Sequence, residues 1–537
     1  MKLLDKFLNS YKFYITTTLV VLMSLTTLVS VGFGALNKNL SIAGDVEYTQ
    51  DAGNMIRSWA YDSTSDFHNS TYRTKIKTID FLDNKNIPNN AVETWDVSVN
   101  PNTGKVMAWI IDDPTNSGYY KLYIGANGDV VGNTNSSHMF RLFVECEEIS
   151  FNNNFDTSQV TNMGYMFFEC NDLISLDVTS FNTSKVTNMT RMFYGCSNLT
   201  SLDVRNFNTS EVTDMSVMFD TCSSLTSLDV TSFNTSKVTN MSEMFDTCSS
   251  LASLDVTNFN TSSVTRMDSM FSYCRSLTSL DVTNFNTSSV TRMGYMFSSC
   301  TSLTSLDVTN FNTSSVINMS YMFYYCGSLT SLDVTNFNTS SVTSMEYMFN
   351  NCINLTSLDV TNFNTSSVTR MGYMFSSCRS LTSLDVTNFN TSSVTDMYYM
   401  FSSCINLTSL DVTNFNTSSV TRMGYMFSSC ISLTSLDVTS FNTSSVTTMD
   451  SMFSYCSSLT SLDVTNFTTG NVTNMSRMFS NCSSLTQIKI SSLWDVSNVT
   501  SSTYMFSGCT NLPNFNPSIV DVSMAKPTTQ GGYLTLV

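Results

Sequence analysis

The residues of this chain best suited to chemistry recur in register. Aspartates stand at Asp177, Asp203, Asp229, Asp255, Asp281, Asp307, Asp333, Asp359, Asp385, Asp411, Asp437 and Asp463, each 26 residues after the last. Thirteen cysteines keep the same step from 170 to 482, with Cys146 and Cys509 set 24 before and 27 after that series. A row of carboxylates has three uses. It can accept hydrogen bonds from hydroxyls in adjacent columns, such as Ser305 and Thr309. It can hold a hard cation such as Ca2+ between neighbouring rungs, for which Asp255, Asp281, Asp307, Asp333, Asp359 and Asp385 are the candidates, although the sequence has no calcium-loop motif. Or it can present an acidic stripe to a ligand, with Asp177, Asp203, Asp229, Asp411, Asp437 and Asp463 in the surface.

Catalysis is a poor use of such a row. Twelve equivalent carboxylates define no unique pair, whereas glycoside hydrolysis needs one pair at a set separation. The two histidines, His68 and His138, lie outside the regular units and supply no ligand cluster. No phosphate-cradling glycine loop is present, and no serine is singled out as a nucleophile. The sequence thus assigns no catalytic, cofactor-binding or firm metal-binding residue. The cysteines, odd in number at fifteen and all turned the same way by their spacing, are expected as buried free thiols in preference to rung-to-rung disulfides.

Columns like these need a stack to position them. One unit, residues 303–328, reads LTSLDVTNFNTSSVINMSYMFYYCGS. Leu303, Leu306 and Val308 suit a short strand buried on one face, which turns the intervening Asp307 outward. Phe311 plugs the core at a turn, and Asn310 and Asn312 can bond to backbone groups left open by the bend. Val316, Met319, Met322 and Phe323 recur at spacings of three and four, which predicts a helical turn or two. No single unit can bury both faces, so stacking must close them. The 33 methionines fill the space between irregular turns. The variable position two after the Val carries Arg266, Arg292, Arg370 and Arg422 but Asp214, Asp396, Asn188, Asn240 and Asn318 in other units. Its variation marks an exposed position and adds those arginines to the candidate interaction surface.

Four regions follow: a signal peptide or membrane anchor at 1–38, a β-rich cap at 39–138, the solenoid at 139–510, and a C-terminal cap and tail at 511–537. Lys2, Lys6 and Lys12 precede an uncharged apolar run over 13–35 that is long enough to span a bilayer if uncleaved. In the cap, 76–82, 106–111 and 119–124 read as strands, the last two forming a hairpin. A net charge of −17, from 42 acidic and 25 basic residues, excludes nucleic acid as a partner and leaves membrane contact to the N-terminal segment alone.

The recurring V-T-x-M-x-x-M-F-x-x-C-x-x-L-T-S-L-D-V-T-x-F-N-T-S, seen over 290–314, resembles the BspA-like leucine-rich-repeat surface proteins, including the related repeat of mycoplasmas and Firmicutes. That resemblance implies an α/β-type solenoid with a parallel sheet on its concave face and short helical turns on another. The Asp row would then lie on the concave face at a rung spacing of about 5 Å. It also implies secreted or cell-surface placement and, in some members, adhesion. The expected function is interaction with a protein or glycan on another cell or matrix through an extended face. The alternative is a self-associating filament or surface layer, and a polysaccharide-acting enzyme ranks last.

Overall fold

The computed structural model describes residues 53–59 and 64–537. The N-terminal signal or anchor segment lies outside them. The fold begins with a cap whose apolar strand pattern dictates a mixed sheet. Of its strands β1 (Ile76–Leu82), β2 (Glu93–Asp96), β3 (Val106–Asp112) and β4 (Tyr120–Ala126), the central three, β1, β3 and β4, carry the core residues, while β2 at the edge buries none fully. β3 and β4 form the expected antiparallel hairpin, and β4 pairs in parallel with β1. β5 (Val130–Val131) then starts the stack by pairing in parallel with β7 (Phe155–Asp156). The cap sheet runs on into the first rungs through β6 (Glu148–Ser150) and β8 (Ser175–Leu176), in the order β2-β3-β4-β1-β6-β8. The β1 edge of the cap is thus covered by β6.

Ion pairs reinforce this junction. Lys77 lies within 3.1–3.2 Å of Glu147 and Glu145 and 3.9 Å from Asp172. The buried His68 sits between Asp66, 3.0 Å from its Nδ1, and the carbonyl of Met139, 2.7 Å from its Nε2. It is stacked on Trp59.

Beyond the cap the 26-residue units stack as parallel rungs, and every apolar column of the unit is inside: Leu303, Leu306, Val308, Phe311, Val316, Met319, Met322, Phe323 and Cys326 are each at most 7% exposed. At the far end β9 (Ser461–Asp463) and β10 (Gln487–Ile490) pair in parallel, and β11 (Thr535–Leu536) adds to β10. Tyr533 and Leu534, both fully buried, close the last rung, with the Tyr533 ring edge-on to Phe506.

Two expectations about the rungs are corrected. The segment after Val316 is not helical. Tyr321 and Tyr325 adopt left-handed backbone angles (φ 61° and 57°), and their counterparts do so in rung after rung. This breaks any run of i→i−4 bonds. The N–H groups of Met319, Tyr321, Phe323 and Tyr325 instead donate to Ser344, Glu346, Met348 and Asn350 on the next rung, at 2.8–3.2 Å. Those of Met322, Tyr324 and Cys326 fold back three residues. Spacings of three and four arise from these chained turns as readily as from a helix, so the apolar pattern could not tell them apart.

The second correction concerns the sheet. Among the described residues no regular strand forms between β8 and β9. The tight ladder is on the other flank, where bridges run Asn240, Arg266, Arg292, Asn318, Ser344, Arg370, Asp396, Arg422. Ring separations give the reason. Equivalent tyrosines from 295 to 425 lie 4.2–4.5 Å apart. The buried Phe297, Phe323, Phe349 and Phe375 lie 5.7–5.8 Å apart, and Phe441 and Phe467, next to the Leu-Asp-Val segment, 6.4 Å apart. The rungs fan open toward that segment, where rung-to-rung backbone bonds become sparse, as from the Thr304 N–H to the Thr278 carbonyl at 3.3 Å, too few for a regular strand ladder. The Asp row therefore lies on the wide side of the stack, where the resemblance had implied the narrow one.

Candidate interaction surface

Each aspartate of the row closes a turn in its own rung. Asp307 Oδ1 accepts the Thr309 N–H at 3.0 Å and the Thr309 hydroxyl at 2.6 Å. The same pair of bonds recurs at Asp229, Asp255, Asp281, Asp333, Asp359, Asp385, Asp411 and Asp437. Asp177 and Asp463 bond likewise to Thr179 and Thr465, and Asp203 takes Arg205 in a fork. These donors hold the carboxyl of Asp307 below its usual pKa, the Thr309 hydroxyl most of all. The row thus has a local structural task that only one of the two predicted hydroxyl columns serves. Among the described residues no group of three or more His, Cys, Asp or Glu side chains converges as a metal site. Replacing Asp333 by Ala strands the Thr335 N–H and hydroxyl and is expected to cost about 1 kcal/mol, with Asn largely restoring it, as read by chemical denaturation.

The arginines stand on the opposite, tightly laddered flank, so the surface grouped from sequence divides into two faces. Arg292 and Arg266 approach Asp268 at 3.1 and 3.5 Å, Arg370 pairs with Glu346 at 2.9 Å, and Arg422 pairs with Asp396 at 2.9 Å. Arg422 also lies over the ring of Tyr398, 4.4 Å from its centroid. The acidic partners are mostly covered, but the arginines are about half exposed and so remain available to a partner.

Between these charges runs a feature the sequence reading passed over. Tyr295, Tyr321, Tyr347, Tyr373, Tyr399 and Tyr425 stack face to face within 10° of parallel. Tyr295 is 39% exposed, and the other five are half-buried. Their faces are taken by one another, so edges and hydroxyls form the outer surface. Burial and neighbouring hydroxyls push the Tyr321, Tyr347 and Tyr399 pKa values well up, which keeps the ridge neutral. The signal was present: Tyr recurs at this position without a break over six units, between Ser269 and Ser451.

All fifteen cysteines are free and buried. The thiol of Cys326 donates to the carbonyl of Phe297 on the preceding rung at 3.1 Å, as that of Cys352 does to Phe323 at 3.2 Å. Burial pushes Cys300 and Cys352 up to about 12, so neither is a thiolate nucleophile. Two carboxyls are largely withdrawn from water as well, Asp220 buried and Asp246 half-buried. Asp220, 7% exposed, and Asp246 follow Phe219 and Phe245 on adjacent rungs, and desolvation raises them to about 7 and about 6. Later rungs carry Ser, Tyr or Asn there.

The sequence profile of a family described as "Mycoplasma protein of unknown function" matches four overlapping stretches, 134–254, 244–332, 328–430 and 403–521. No curated protein matches the chain. Among solved structures, the functional domain of InlJ from Listeria monocytogenes, described as including a cysteine ladder, is 17% identical. That match covers 65% of this chain and 70% of that one, with a TM-score of 0.23. A leucine rich cell surface protein from Faecalibacterium prausnitzii is 18% identical over 75% of this chain and 91% of that one, with a TM-score of 0.29.

Proposed function

The chain belongs to this family of unknown function, the repeat group its recurring motif resembled, and we propose that it is a cell-surface or secreted scaffold that adheres to a protein or glycan through an extended face. The tyrosine ridge carries this reading. Tyr and Arg dominate binding hot spots because they bring large contact area and directed donors at low conformational cost. Here six tyrosines are held in advance by stacking, and Arg292, Arg370 and Arg422 stand beside them. A surface fixed before the partner arrives loses little entropy on docking. The filament alternative lacks comparable support, because the cap sheet and the buried Tyr533–Leu534 segment cover the apolar ends through which rungs would otherwise add.

The test uses substitutions the fold already accepts. Ser269 and Ser451 occupy the ridge position with the same left-handed angle (φ 54°). A Tyr347→Ser, Tyr373→Ser chain should therefore fold, yet bind arrayed matrix proteins, glycans or whole cells at least tenfold more weakly in a surface-binding assay. Undiminished binding would remove the ridge from the proposal.

A further inference from the structure

The wide side of the stack is repetitive through its middle and singular at its start. There a cavity of about 610 Å³ opens, lined by Glu148, Ser150, Asn153, Ser175, Asp177 and Asp203 among others. Its origin is a lengthened turn. Ile149 pairs with Leu176 on the next rung, but six residues lead from Ile149 to Phe155 where five lead from Leu176 to Phe181. The added length is taken up at Asn152 and Asn153, both left-handed (φ 53° and 57°), which wall the cavity. Asn152 is tied back to the Phe81 carbonyl of the cap at 3.1 Å.

Two properties of the lining select a ligand. Its charge is only partly compensated: Asp203 is matched by Arg205 at 2.7 Å, but Glu148 and Asp177 make no ion pair among the described residues. Asp80 on the adjoining strand has its pKa raised by burial and by Glu148, with Lys121 partly offsetting its charge. Its floor is apolar, made by Ile149, Phe151 and Leu176. A bare or hydrated metal ion would leave that floor unused, and the volume suits a small organic molecule. We infer that the cavity binds an organic cation, an alkylammonium or guanidinium group carried on a short aliphatic stem, with the stem on Ile149 and Leu176 and the charge between Glu148 and Asp177. Such a group comes from a free diamine or from a lysine side chain of another protein. The site is separate from the tyrosine ridge, so each can fail without the other.

Calorimetric titration of the full chain with cadaverine and with N-acetyl-lysine methylamide tests it, the uncharged N-acetyl-norleucine methylamide serving as control. Binding of one charged probe but not the control is expected, and the preferred probe assigns the source. Glu148→Gln with Asp177→Asn should weaken binding at least tenfold; Asn at 177 can still cap the Thr179 turn. Asp333→Asn with Asp359→Asn, on the same row but remote from the cavity, should change nothing. The proposal is overturned if neither charged probe binds, or if both pairs of substitutions weaken binding equally, which would mean diffuse attraction to an acidic surface.

Discussion

Replacing Phe323 by Ala is expected to split unfolding into two transitions. Phe323 is fully buried and stacked between Phe297 and Phe349 at 5.8 and 5.7 Å. Truncating a buried Phe costs roughly 3–5 kcal/mol, and the rungs above and below are bonded at fixed backbone points that resist collapse into the gap. In a globular domain that loss would lower a single midpoint. In a stack where each rung touches only its neighbours it weakens two interfaces near the middle, so the halves on either side lose their coupling. Circular dichroism in a denaturant titration should then show two steps where the parent shows one. The same change at Phe506, stacked on Phe479 at 5.6 Å in the last rung, should only fray the end and lower the amplitude slightly. A single undivided transition in the Phe323 variant would contradict nearest-neighbour coupling.

Acidity should stabilise this protein down to about pH 4. Asp220 and Asp246 have folded pKa values raised to about 7 and about 6, against about 3.8 unfolded, because burial disfavours their charge. A carboxyl raised in this way favours the folded state when protonated in both states, and that advantage is lost as pH climbs through the folded value. Stability should therefore fall between about pH 4 and about pH 7. Asp220→Asn should be neutral near pH 4 and more stable than the parent at pH 8 by roughly 2–4 kcal/mol, at about 1.4 kcal/mol per pKa unit. Asn350, 4% exposed, already occupies the equivalent position. Below about pH 4 the sign reverses. The exposed aspartates whose carboxyls are held low by their threonines, such as Asp307 and Asp333, lose that support on protonation. Melting temperatures from pH 3 to 8 for parent and variant would check both limbs.

The inside of the stack was legible because a period of 26 repeats every side-chain environment, so Leu303, Phe311, Met319 and Cys326 each speak for a whole column. What escaped was backbone detail. Left-handed residues at Tyr321 and Tyr325 cost little when each rung's N–H finds a carbonyl on the next, yet nothing in their side chains announces it. The fanning that opens the Leu-Asp-Val segment depends on how tightly the opposite flank closes, a property of the assembled stack and not of any unit. The aspartates drew attention as charged groups, although their main partners are two residues away. The tyrosine column, six units long and interrupted at both ends by serine, shows its role only through the stacking of the assembled rungs. The asymmetry of the first rung, one added residue beside Ile149, is visible in the sequence only once the strand register is known.

The constant offsets of the rung-to-rung bonds have a genetic consequence. Phe323 reaches a carbonyl 25 residues ahead, and Cys326 one 29 behind, and the same offsets serve each middle unit. Excising or inserting one 26-residue unit in that region would rejoin equivalent partners with no register to repair. Recombination between nearly identical coding repeats would yield a folded chain of altered length, each unit changing the reach of the display surface by about 5 Å. Length becomes a heritable variable that selection can adjust without redesigning the fold, while the singular first rung and the closing tail stay as they are.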